Sequence, residues 1–117
     1  MKPINAIVIP PGDEPGVVGP ISQDLQTLKA IVGGYIEAVY TAYDDHGRPR
    51  VTLWCNEDGK ILGLPINRRA TALWYALNGG PTGYTLNGPV LVTGSDDGQG
   101  DILDVPDMLI DLWNSLP

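Results

Sequence analysis

The chain has 117 residues, 43% of them hydrophobic, and a formal net charge of −7. That length holds one domain, residues 1–117, which can bury about two-thirds of the surface its unfolded chain exposes. The charge argues against direct binding to DNA or RNA, whose phosphates it would repel, and no run approaches the ~18 apolar residues of a membrane span.

The first strand is expected over Ile4–Ile9, closed by Pro10 and Pro11. Its apolar stretch Ile7–Ile9 is too short for a secretory signal, and one lysine precedes it, so a cytoplasmic location is expected. A loop through Gly19 and Pro20 follows. Ser22 is the expected cap of a helix running from Asp24 to Ile31, with Leu25, Leu28, Ile31 and Val32 on one apolar face and Gly33-Gly34 as its stop. Tyr35–Tyr43 has the aromatic and β-branched content of a strand. Ile36, Ala38 and Tyr40 would share one of its faces, and Tyr35, Glu37 and Val39 the other. A turn at Asp44–Gly47 leads into the strand Val51–Cys55, its hairpin partner. There Val51, Leu53 and Cys55 point one way, and Thr52 and Trp54 the other.

Asn56–Lys60 carries turn chemistry, with Gly59 as the residue of positive φ. Ile61–Leu64 is expected to be extended as far as Pro65. Asn67 caps a helix over Arg68–Leu77 with Ala70, Leu73, Trp74 and Leu77 inward, and Asn78–Pro81 ends it. Tyr84–Leu86 would be a short extended segment and Val90–Thr93 the last strand. Gly94–Asp104 is polar. Val105–Leu116 is the final helix, with Pro106 in its first turn and Leu109, Leu112, Trp113 and Leu116 buried. The mixed order indicates an α+β fold: a single, mostly antiparallel sheet with about three helices packed on it.

The chemistry centres on the start of the Arg68 helix. A helix N-terminus is the positive end of its dipole and favours acids, yet Arg68 and Arg69 stand there. A bound anion would offset that charge, so Asn67, Arg68 and Arg69, with Asn56 and Glu57 beside them, form a candidate site for a small anionic, nucleotide-like ligand. Pairing with Glu57 or Asp58, or extension into water, would offset it equally well. Trp54, Tyr35 and Glu37 are candidates for a partner-binding face. Trp54 is either covered by a helix or open to a partner.

Cys55 excludes an internal disulfide and reads as a buried strand residue. A catalytic thiol would want a histidine, and His46 sits in a turn. The acidic loop Ser95–Asp101 lacks the spacing and closing glutamate of a calcium loop, and no metal set or phosphate-binding glycine loop stands out. No cofactor is expected. Glu37 or Glu57 would be the general base if the protein were an enzyme, although no spacing supports it.

The stretch Leu25–Val39, LQTLKAIVGGYIEAV, resembles the opening signature of the domain of unknown function 3846 family. Asn56–Arg68 resembles a second signature and Gly88–Gly94 a looser third. The form with Ala70–Trp74 after the arginines is similar to members from actinobacteria and their phages. The resemblance implies accessory cargo of phages and mobile elements, with no transferable activity, cofactor or catalytic residue. It draws attention to Glu37, Asn56, Glu57, Gly59, Pro65, Asn67 and Arg68. The function expected is a non-catalytic binding module that modulates a host protein. A binder of a small anionic ligand and a small enzyme are the alternatives. A homodimer built on a sheet edge or a helix face is compatible with so small a domain.

Overall fold

The computed structural model describes residues 2–115. In chain order it contains β1 (Ile4–Ile9), β2 (Val17–Ile21), α1 (Leu25–Val32), β3 (Ile36–Tyr43), β4 (Pro49–Asn56), α2 (Arg68–Asn78), β5 (Val90–Gly94) and α3 (Asp107–Ser115). The strands form one sheet in the order β2-β1-β5-β4-β3, antiparallel throughout. The α+β reading is therefore correct.

The period-two alternation of each strand divides its side chains between two cores. Ile7 pairs with Val92, Val92 with Leu53, and Leu53 with Val39, forming one apolar row across four strands. With Ile9, Val51, Cys55 and Val90 that row meets Ala70 and Leu73 of α2 and Leu109 of α3. The neighbouring row, Val8, Leu91, Trp54 and Ala38, faces the opposite side. There Ala6 and Leu91 are buried with Leu28 of α1. β5 lies mid-sheet and is buried along its whole length because helices cover both its faces.

Several local expectations are corrected. Val17–Ile21, read as loop, is an edge strand paired from Ile4↔Ile21 to Val8↔Val17. Pro20 lacks a backbone donor, and an edge strand is asked for ladder bonds on one side only. The cap of α1 is Asp24, not Ser22: Asp24 Oδ1 accepts the Thr27 amide at 2.9 Å, and the Ser22 hydroxyl donates to the same carboxylate. Leu25, in the first turn, is 56% exposed and lies off the apolar face. Gly33 ends α1 with a left-handed φ of 80°.

The turn expected to end at Lys60 runs on through Gly63, in place of an extended run over Ile61–Leu64. Leu62 N donates to Asp58 O at 2.8 Å and Leu64 N to Gly59 O at 2.9 Å. The positive φ there belongs to Gly63 at 70°, not to Gly59. Tyr84–Leu86 forms no strand; the isolated pairing joins Ile66 to Asn87. α3 starts at Asp107, because Val105 is buried and spends its amide on Asn5 O at 2.9 Å. Leu112 of its expected buried stripe is exposed, and Leu116 lies outside the described residues. Among the described residues, no helix is long and apolar enough to cross a membrane.

Candidate functional site

A cleft of about 560 Å³ opens where β4 runs out of the sheet, between the hairpin β3–β4, the 57–63 turn, α2 and the 84–87 segment. Backbone fit builds its walls. A β-carbon at Gly59 would stand 2.9 Å from the Asn87 carbonyl, so only glycine lets the turn close on that segment. Asn87 Nδ2 donates to Leu64 O at 3.0 Å and locks the two together. The Tyr75 hydroxyl donates to Tyr84 O at 2.5 Å and ties the far wall to α2.

Asn56 sits at the base of the turn, buried. Its Oδ1 accepts the Asp58 amide at 2.8 Å and its Nδ2 donates to Val32 O at 3.3 Å, which joins the turn to the end of α1. Both polar atoms of this side chain are thereby used in structure. Glu37 lies directly across the ladder from Cys55. Glu57 follows Asn56 and is exposed, while its amide donates to Tyr35 O at 2.8 Å. The Lys60 ammonium hangs over the Tyr84 ring, 5.3 Å from its centroid. Trp74 of α2 forms the half-buried rear wall.

Cys55 faces this cleft but is not set up to attack. Burial, followed by the Glu37 charge, pushes its thiol up to about 11, and Lys60 opposes that only in part. The protonated thiol is a poor nucleophile. His46 is at the opposite end of the hairpin, where its amide donates to Asp44 Oδ1 at 2.8 Å. Cys55 stands six residue steps along β4 from Pro49, about 20 Å of strand, so Cys55 and His46 do not meet.

The residues marked by sequence divide into three places. Glu37, Asn56 and Glu57 come together in the cleft. Asn67, Arg68 and Arg69 do not line it. Asn67 is fully buried: its Oδ1 caps Ala70 N at 3.0 Å, and its Nδ2 donates to Ile9 O at 2.8 Å and Gly88 O at 3.0 Å. One guanidinium nitrogen of Arg69, Nη2, donates to the carbonyls of Pro10 (3.0 Å), Gly12 (2.9 Å) and Glu14 (2.5 Å). Carbonyl oxygens of the β1–β2 connection thus offset the cationic charge at the α2 N-terminus. Arg68 is exposed. Trp54 lies on the α1 side, half-buried, and its Nε1 donates to Thr93 Oγ1 at 2.9 Å. Tyr35 is exposed beside the Lys29 ammonium, 4.8 Å from its ring centroid.

Lys60 and Tyr84 were not marked as site residues, and no local signal marks them. Their position follows from the closure of the turn on the 84–87 segment, which is a tertiary event.

The acidic loop spends its carboxylates on its own backbone. Asp96 Oδ1 accepts Gly98 N at 2.9 Å, and Asp97 Oδ1 accepts Gln99 N at 2.7 Å. Among the described residues, no group of three or more His, Cys, Asp or Glu side chains is arranged to hold a metal. A second cleft of about 690 Å³ beside this loop mixes Asp44, Asp96 and Asp104 with Arg48 and Arg50.

An antiparallel five-stranded sheet with helices on both faces, and an open cleft with carboxylates and aromatic rings at its lip, is the architecture of a small α+β domain. The chain belongs to the family described as a domain of unknown function (DUF3846), whose sequence profile matches residues 1–116. No curated protein matches the chain, and no solved structure does.

Proposed function

We propose that this protein is a non-catalytic binding module, carried by a phage or mobile element, that engages and modulates a host protein in the bacterial cytoplasm through the cleft at the end of β4. The carrying observation is the contrast within the cleft. Its thiol is buried and held protonated, whereas its lip presents Glu37 and Glu57 and a Tyr84 ring that is 66% exposed. Exposed aromatic rings beside charged groups are recognition chemistry. The net charge of −7 favours a partner with a basic face.

The test is capture of binding proteins from host lysate on the immobilised protein, its Glu37→Lys, Glu57→Lys double variant and a control reversed at Asp45 and Asp111. A host protein retained by the wild type and the control, and lost by the double variant, is the expected result. Capture that ignores the cleft variant, or no stoichiometric host protein at all, overturns the proposal. Small molecules extracted from the same samples address the rival reading. A phosphorylated metabolite that is lost on Arg68→Ala would replace the host protein with a small anionic ligand.

A further inference from the structure

Among the described residues β3 ends the sheet, so one side of its backbone ladder has no partner strand. The bond from Glu57 N to Tyr35 O fixes the phase of the ladder: Tyr35, Glu37 and Val39 turn their backbone groups toward β4. Ile36, Ala38 and Tyr40 therefore turn theirs outward. Exposed edges are normally blunted by charged side chains, lysine above all, by proline or by a very short strand. β3 has eight residues, IEAVYTAY, with no lysine or proline and a single charge, Glu37. Ala42 alone departs from strand geometry, with a φ of 58°, and leaves Ile36–Thr41 as a regular edge. That run spans about 17 Å, enough for a segment of five or six residues.

The edge and the cleft are contiguous. Glu37, Ala38 and Val39 belong to both. A strand added to β3 would lie about 4.8 Å away, and every second side chain would project on the α2 side, beside Glu37 at the mouth of the cleft. Glu37 and Glu57 supply two carboxylates there, and Trp74 and Tyr84 supply rings. The Tyr84 face already lies under a cation of the chain itself, the Lys60 ammonium. Carboxylates and aromatic faces together select a lysine or arginine side chain.

We infer that the partner binds by strand addition: an extended segment pairs with the β3 edge and places a basic side chain in the cleft. This rests on the binding-module reading and names its mode and chemistry. Backbone bonds to Ile36, Ala38 and Tyr40 supply affinity, and the cleft supplies selectivity. Lys60 competes with the incoming cation for the Tyr84 ring.

The test uses a displayed library of random 12-residue peptides selected on the whole protein, with the recovered peptides titrated against variants. Ala38→Pro removes an outward amide that the fold does not use. Glu37→Lys with Glu57→Lys reverses the cleft charge without touching the backbone, which keeps the test valid should the proline variant unfold. Asp45→Lys with Asp111→Lys makes the same change in net charge elsewhere. The expected result is peptides with lysine or arginine among β-branched residues. Their affinity falls at least tenfold with Ala38→Pro and with the cleft reversal, changes less than threefold in the control, and rises severalfold with Lys60→Ala. Recovered peptides without a basic residue, equal loss in the control, or affinities indifferent to both site variants overturn the inference. So does a library that yields no binder. None of these results alters the host-protein capture, which tests the underlying reading separately.

Discussion

Replacing Asn67 separates two roles that its position combines. As a helix cap alone, its loss to alanine would cost about 1 kcal/mol. Here the side chain is fully buried and also donates to Ile9 O and Gly88 O, so Asn67→Ala strands two carbonyls with no access to water. Each buried group left without its partner adds about 1–3 kcal/mol, which brings the loss to about 3–7 kcal/mol in all. For 117 residues, an unfolding entropy near 0.25 kcal/mol/K turns that into a drop in Tm of about 12–28 °C. Asn67→Asp is the sharper variant. Aspartate caps as well as asparagine and suits the positive end of α2. At this site, however, it loses both donors and sets a carboxylate against two carbonyl oxygens. It is expected to destabilise at least as much as alanine at neutral pH. Urea and thermal unfolding followed by circular dichroism measure both variants. An Asn67→Asp protein within about 0.5 kcal/mol of wild type would refute the reasoning and reduce Asn67 to a cap.

Arg69→Ala should cost about 2 kcal/mol through lost charge-assisted bonds to Pro10, Gly12 and Glu14, with hydrogen exchange rising over residues 10–16. Unchanged protection there would show that the guanidinium does not hold the connection. Asp24 is held down at about 2, below its ordinary 3.8, chiefly by the Ser22 hydroxyl and then by the Thr27 amide and hydroxyl. Its contribution is therefore complete above 3.8 and disappears as pH falls through the folded value. Asp24→Asn should flatten the acid limb of the stability curve in that window, and an unchanged limb would rule Asp24 out as its source. The Cys55 thiol, raised from 9.0 to about 11, carries about a hundredfold less thiolate than an ordinary cysteine at neutral pH. Alkylation in the native state should be correspondingly slow and should recover on unfolding; rapid native labelling would contradict its burial. Ala42→Gly removes the cost of a left-handed alanine and should be neutral or stabilising by up to about 1 kcal/mol in chemical denaturation, whereas a clear loss would show that the Ala42 methyl matters more than its backbone.

Strands β1, β3, β4 and β5 and helices α1 and α2 were legible because alternation and helical spacing act over a few residues. Gly33 and Asn67 marked helix ends for the same local reason. The edge strand β2 was not legible, since Gly19 and Pro20 read as loop and only pairing with β1 overrides them. The turn after Asn56 was legible from its Asn, Asp and Gly, but its continuation through 61–63 was not, because Ile61 and Leu62 look like strand residues, yet both stand in solvent. Of the candidate site, Glu37, Asn56 and Glu57 were marked and do converge, while Lys60 and Tyr84 were not. The arginines were conspicuous for their unfavourable place at a helix start. What offsets Arg69 proved to be three carbonyls from residues more than fifty positions earlier.

The sequence by itself determined the α+β class, the two-sided patterning of the strands, the acidic charge and the helix stops, all consequences of side-chain type and short-range periodicity. The tertiary structure alone decided the strand order that leaves the outer edge of β3 open, the closure of the Gly59 turn on Asn87 that makes the cleft, and the diversion of Arg69 and Asn67 into structural bonds. Those outcomes depend on which distant backbone groups come within about 3 Å of one another, and no local pattern encodes that distance.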